Sequence, residues 1–127
     1  MYSDKQKLGK WGEEQASNYL AAGGYKILQR NYRCRFGEID IIANKADILI
    51  FAEVKTRTNT AYGSPAEAVS YKKQWRYEKL ALYYLNEAGY TNVTCRFDIL
   101  EVLVNYDNSF YINHIPNAFQ AGSRRYY

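Results

Sequence analysis

The apolar positions of the chain change their period several times, and each change marks a predicted element. Trp11, Ala16, Tyr19 and Leu20 fall at helical spacing in a polar background, with Ser3 or Asp4 available as N-cap and Gly23-Gly24 as stop, which predicts an amphipathic helix to about Ala22. Three segments rich in Ile, Val, Leu, Phe and Tyr follow, at about Tyr25 to Tyr32, Glu38 to Ala43 and Ile48 to Thr56, separated by the turn-prone Phe36-Gly37 and Asn44-Lys45-Ala46-Asp47. They read as a β-meander. Tyr62-Gly63-Ser64-Pro65 leads into a long basic helix from about Ala66 to Ala88, closed by Gly89, on which Trp75, Leu82 and Leu85 have the spacing of a core-facing stripe. Tyr83 and Tyr84 stay open between core and surface. Two more strands, about Val93 to Val104 and Phe110 to Ile115, are joined by Asn105-Tyr106-Asp107-Asn108-Ser109, and about 121–127 forms an irregular tail.

The expected order is α-β-β-β-α-β-β, an α/β domain over residues 1–127 with helices packed on a central mixed sheet of about five strands. No internal repeat or linker divides the chain. No apolar run reaches the roughly 18 residues that span a bilayer, and no apolar signal core follows Met1-Tyr2-Ser3-Asp4-Lys5, so the expectation is a cytoplasmic protein without a membrane partner. Cys34 and Cys95 lack metal-ligand spacing, which argues against zinc, and a reducing cytosol argues against a disulfide.

Seventeen Lys and Arg against thirteen Asp and Glu give a net charge of +4, a balance that suits a polyanionic partner without identifying one. The chemistry is carried by charge where strands should be apolar. Gly37-Glu38-Ile39-Asp40-Ile41 sets two carboxylates in an apolar strand, and alternation sends Glu38 and Asp40 to one face and Ile39 and Ile41 to the other. Glu53 and Lys55 likewise share a face at the end of Ile48-Leu49-Ile50-Phe51-Ala52. A hairpin folded about Lys45 to Asp47 brings Asp40 near Ala52 and Glu53.

Carboxylates that close repel unless a cation neutralises them, and Mg²⁺ accepts a couple of carboxylates while keeping several waters. A lysine two residues beyond the second carboxylate can hold or deprotonate an attacking water. Asp, twelve intervening residues, then Glu-x-Lys is therefore the pattern of a metal-assisted phosphodiester hydrolase. Each pair taken singly reads as well as an ion-pair row on a solvent-facing sheet, and only the whole arrangement favours catalysis.

These residues resemble the PD-(D/E)xK nuclease superfamily, with Ile39-Asp40 in the place of Pro-Asp and Glu53-Val54-Lys55 as the second element. More narrowly, Gly9-x-x-Gly12-Glu13, Gly37-Glu38-Ile39-Asp40, Glu53-Val54-Lys55-Thr56-Arg57, Gly63-x-Pro65, Lys73 and Arg96-Phe97-Asp98 resemble the uncharacterised bacterial YraN-like family over nearly the whole chain. That family is similar to archaeal Holliday junction resolvases, which carry a glutamate on the first helix near the metal site. The resemblance implies a restriction-endonuclease-like core and gives that role to Glu13, whose distance to Gly24-Tyr25 matches the resolvase pattern, whereas Glu14 is one residue out of register.

The expected activity is Mg²⁺-dependent endonucleolytic hydrolysis, with Mn²⁺ as an alternative ion, on nucleic acid and in the first place DNA, with branched or junction DNA as one substrate class. Asp40, Glu53 and Glu13 are the expected metal ligands and, with Lys55, the catalytic set. Glu38 stands behind them. Arg33, Arg35, Arg57 and Lys73 are the expected nucleic-acid contacts, with Arg30 beside them and Lys72, Arg76 and Lys79 completing a helical stripe that reads equally well as a solvated face. Symmetric cutting of a junction would need a homodimer. His114 reads as a structural or an exposed histidine and not as a catalytic base, and Asp98 as the partner of a nearby Arg or Lys, with a role near the site left open. Two rival readings are a nucleic-acid-binding module that cleaves nothing and a protein-interaction domain with a Tyr-rich surface.

Overall fold

Asp4 accepts a hydrogen bond from the backbone N–H of Gln6 and starts helix α1, Lys5–Ala22. Gly24, at φ 90°, turns the chain after it. The computed structural model describes residues 4–58 and 69–119. Beyond α1 they form β1 (Lys26–Cys34), β2 (Gly37–Lys45), β3 (Ile48–Thr58), α2 (Tyr71–Ala88), β4 (Thr94–Val104) and β5 (Phe110–Phe119), the α-β-β-β-α-β-β order expected. The predicted loop Tyr62 to Pro65 and the irregular tail lie outside the described residues. So does the expected helix start at Ala66, whereas Val69 and Ser70 are not helical. Ser70, in an extended conformation, caps α2 by accepting from the N–H of Lys73, which sets its start at Tyr71.

The five strands lie in the order β1-β2-β3-β4-β5, antiparallel except for the parallel pair β3 and β4. A parallel pair needs a crossover, and α2 supplies it. The two helices cover opposite faces. Leu49 and Phe51 of β3 point into a core with Tyr77, Leu80, Ala81 and Tyr84 of α2, while Ile50 and Ala52 point into one with Ala16 and Leu20 of α1. A strand covered on both faces must be apolar throughout, which explains the run Ile48 to Ala52. No described helix is long and apolar enough to cross a membrane.

Two sequence expectations about faces are corrected. On α2 the buried positions are Tyr77, Glu78, Leu80, Ala81 and Tyr84, whereas Trp75 and Leu82 are 46% and 61% exposed and Leu85 lies at the margin. The helix is rotated so that its aromatic Tyr77-to-Tyr84 edge meets the stacked rings of Phe51, Phe97 and Phe119. On β2, Ile39 and Ile41 do not share a face: Ile39 packs under α2 and Ile41 under α1. The switch falls at Asp40. The β1–β2 register passes from Arg30↔Ile41 to Tyr32↔Ile39 without pairing Asn31 to Asp40, and Asn31 has φ 55°. Arg30 accordingly meets Glu14 of α1, and Tyr32 donates to Glu87 of α2.

Helix α1 approaches β3 through Gly12, where a Cβ would stand 1.8 Å from Thr56 Oγ1 and 3.0 Å from Thr56 Cβ. Rotating Thr56 can swing Oγ1 aside but leaves its Cβ at 3.0 Å, tighter than ordinary contact, so full relief requires helix and strand to move apart. Gly12→Ala is expected to destabilise the protein by roughly 1–3 kcal/mol, the usual cost of overpacking, read as a lowered denaturation midpoint at unchanged m-value.

Candidate active site

The site forms where β2 leaves β3. Their antiparallel register ends at Ile41↔Ala52, one residue from the expected alignment, so continuing it sets Asp40 opposite Glu53. In place of the missing ladder bond, Asp40 Oδ2 accepts the Val54 N–H at 2.8 Å. β3 meanwhile stays paired with β4 to Thr58, which keeps Glu53, Lys55 and Arg57 on a rigid strand. Burial pushes the Asp40 carboxyl up to about 7; the Val54 bond opposes this, and Glu13, Glu53 and Glu38 add to it. Negative charge is therefore concentrated at one point and only partly compensated.

Glu53 carries the local cation. Its Oε2 lies 2.6 Å from Lys73 Nζ in the first turn of α2, and its Oε1 is buried with no hydrogen-bond partner among the described residues. Burial and the neighbouring Glu53 push the Tyr77 hydroxyl well above its ordinary range, so it stays protonated against that carboxylate. Lys73 is thus turned toward a carboxylate in this conformation. Lys55 shares Glu53's face of β3, stands beside Glu101 in the parallel register, and makes no hydrogen bond or ion pair with any described residue.

Glu13, on α1 one residue beyond the Gly12 contact, accepts from Asn31 Nδ2 at 3.1 Å. Asn31 is the residue whose left-handed backbone accompanies the face switch, so the same feature that aims Asp40 also holds Glu13. Asp40, Glu53 and Glu13 are not gathered as a ligand set: among the described residues no three His, Cys, Asp or Glu side chains lie together at metal-holding distances. Asn31 and Lys73 each occupy one oxygen of the outer two. Glu38 pairs with exposed Arg33 at 3.3 Å, and both line a cleft with Lys10, Glu13, Arg30 and Asn31. Arg35 lies over Phe36 at 5.1 Å, and Arg57 pairs with Glu101 at 3.6 Å.

Asn31, Tyr77 and Glu101 were not singled out in the sequence. Glu101, 8% exposed and accepting from Asn113 Nδ2 at 3.0 Å, interrupts the apolar run Ile99 to Val104, the same signal that flagged Asp40. Asn31 and Tyr77 gave no comparable signal. Asp98 is compensated as expected of a structural residue. Burial alone would raise its carboxyl, but His114, Arg96 and the Asn117 N–H hold it below the ordinary range, with Arg96 at 2.8 Å and His114 Nε2 at 2.7 Å. His114 is the structural histidine anticipated, seated edge-on to Tyr19 and Tyr25.

A model of the uncharacterised protein family UPF0102 matches residues 12–102. Among curated relatives, a UPF0102 protein of Clostridium acetobutylicum is 44% identical over 94% of this chain and 99% of its own length. One from Alkaliphilus oremlandii is 47% identical over 90% and 98%, and one from Caldanaerobacter subterraneus subsp. tengcongensis 42% over 91% and 97%.

The raised Asp40 carboxyl has a signed consequence. Between about pH 4 and about pH 7 the folded chain holds a proton that the unfolded chain has released, so this group's contribution to stability falls as pH rises and is level above that window. Asp40→Asn keeps an acceptor for Val54 and loses the charge. In a metal-free buffer the variant should match wild type near pH 4 and exceed it by roughly 1–3 kcal/mol at pH 7.5, compared by urea denaturation at both values. Equal pH dependence of the two proteins would refute the electrostatic assignment.

Proposed function

The chain belongs to the uncharacterised protein family UPF0102, and from that premise we propose that it is a divalent-metal-dependent endonuclease hydrolysing nucleic-acid phosphodiesters, with branched or junction DNA as a substrate. The observation that carries the reading is Asp40: a half-buried carboxyl under the charges of Glu13, Glu53 and Glu38, beside a Glu53 oxygen that has no hydrogen-bond partner among the described residues. A protein spends stability on such a concentration of negative charge where a cation is to be bound. Two carboxylates suit Mg²⁺, which keeps most of its waters and fills the remaining positions with substrate oxygens, so a pair of acids without a third ligand among the described residues fits that ion better than Ca²⁺. Mn²⁺ suits the same donors.

Asp40 and Glu53 would hold the metal, which when bound polarises the scissile phosphate and lowers the pKa of a bound water. The remaining work falls to side chains. The Val54 N–H fixes the orientation of Asp40, and Asn31 holds Glu13 within the field of Asp40, where it would accept a hydrogen bond from a water at the site. Lys55, two residues along β3 from Glu53 and without an ion-pair partner among the described residues, orients the attacking water through Nζ. Lys73 holds Glu53 in place. Arg57, with Arg33 and Arg35 near the β1–β2 turn, supplies positive charge for the flanking phosphates. Glutamate on the first helix together with Asp and Glu-x-Lys on a hairpin is also what the resemblance to junction resolvases implies.

Labelled four-way junction, flap, single-stranded and duplex DNA incubated with Mg²⁺ or Mn²⁺ test this. Cleavage by the wild type should disappear with EDTA and fall by at least about a hundredfold in Asp40→Ala and Lys55→Ala. Mg²⁺ should also raise the thermal midpoint of the wild type and leave that of Asp40→Asn unchanged. Equal cleavage by wild type and both alanine variants would overturn the mechanism; metal-independent binding without cleavage of any substrate would assign a non-catalytic module.

A further inference from the structure

The rotation of α2 that buries Tyr77 and Tyr84 turns Lys72, Trp75 and Lys79 directly away from the core, with Arg76 at the edge of the same face. Lys72, Trp75 and Arg76 are exposed and Lys79 is half-buried. No exposed acid interrupts this face between residues 71 and 83, because Glu78 is 8% exposed on the other side. Trp75 is 46% exposed, and one side of its indole faces the Lys79 ammonium 5.3 Å from the ring centre. Arg76 extends the basic surface across to the β1–β2 turn, where its Cδ would lie 3.5 Å from a Cβ at Gly37, and Phe36 meets Tyr83 edge-on there. A helix that needed this face for folding would not set a large indole in water.

We propose that the outward face of α2 from Lys72 to Lys79 binds an unpaired nucleic-acid strand, with Trp75 stacked on a base and Lys72, Arg76 and Lys79 against its phosphates. The charge selects a polyanion. The indole selects an unpaired strand, because a duplex hides the faces of its bases and a flat aromatic surface can stack only on an open one. The lysines and the tryptophan repeat over seven residues, roughly 10 Å of helix, a span that a strand can follow. The face begins in the helical turn from which Lys73, on the sheet side of the helix, reaches Glu53, so the site lies round the same end of α2. A substrate with a single-stranded arm, such as a flap or the open centre of a junction, is the class it selects. The inference rests on the reading of the partner as nucleic acid but does not depend on cleavage.

Anisotropy of a fluorescein-labelled oligothymidylate of about 16 nucleotides, titrated with the full chain in EDTA, tests it without any contribution from hydrolysis. Wild-type binding should weaken with salt, and its indole emission should be quenched on binding. Trp75→Ala should bind roughly tenfold or more weakly and lose that quenching, and Trp75→Tyr should recover most of the affinity. Lys72→Ala with Lys79→Ala should lower the salt slope by about 1.4, the value for two single-strand phosphate contacts. A blunt duplex of equal length should be bound no more weakly by Trp75→Ala than by wild type. Because Trp75 lies outside the core, circular dichroism should show every variant folded. Wild-type affinity for the oligonucleotide in Trp75→Ala, or an equal loss on duplex, would overturn the proposal; so would a change of sedimentation confined to the free variant, which would assign the face to a second copy of the chain. Failure of the nuclease reading shows differently, as strand binding in EDTA that never becomes cleavage when Mg²⁺ is restored.

Discussion

A single hydrogen bond, from the Val54 N–H to Asp40 Oδ2, stands where the β2–β3 ladder stops. A backbone donor released from a sheet and buried must find another acceptor, and here a carboxylate provides it. The substitution has three consequences. It lets β2 part from β3 without an orphaned amide, it draws the acid into the gap opposite Glu53, and it leaves one carboxylate oxygen that accepts from no described residue at the end of two strands. The rest of the arrangement is built around that gap: β4 extends past it to hold β3 straight, and the left-handed Asn31 on β1 accompanies the exchange of faces in β1 and β2 beside it.

The two helices serve this geometry differently. Helix α1 is attached through Gly12, Ala16 and Leu20 in succession, and the close contact of Gly12 with Thr56 sets the height of Glu13 above the strand. Helix α2 is attached through aromatic rings, which fill the wider space on its side of the sheet and leave Lys73 able to reach Glu53. One helix positions an acid and the other a base, each from the turn nearest the gap. The face of α2 that the rings do not use is the basic, tryptophan-bearing surface.

Asp40 and Asp98 show what the electrostatics mean. Both are acids in strands of the same sheet and both are desolvated, yet the Asp40 carboxyl is raised and that of Asp98 lowered. Asp98 has a guanidinium, an imidazole and a backbone N–H as partners, which compensate burial and tie β4 to β5. Asp40 has one N–H and three acidic neighbours. A charge that is fully satisfied holds structure together, whereas one left short of a cation marks a place where something is to be bound.

The element order, the α/β class and the charged positions in apolar strands were legible from local pattern, because period, caps and turn residues act over a few residues. Asp40, Glu53 and Lys55 could be picked out for that reason, and Glu101 could have been by the same rule. The start of α2, the exposure of Trp75 and Leu82, and the opposite faces of Ile39 and Ile41 were not legible. They depend on which side of a helix the facing sheet can accommodate and on a break in strand pairing between β1 and β2, and neither is written in the period of one segment. The amino-acid sequence by itself determined which acids and bases interrupt the strands; only the tertiary structure decided how they stand around Asp40 and which are compensated, because the desolvation of Asp40, the charges of Glu53 and Glu13 near it and the ion pair of Glu53 with Lys73 arise from four separate elements meeting at the end of the sheet.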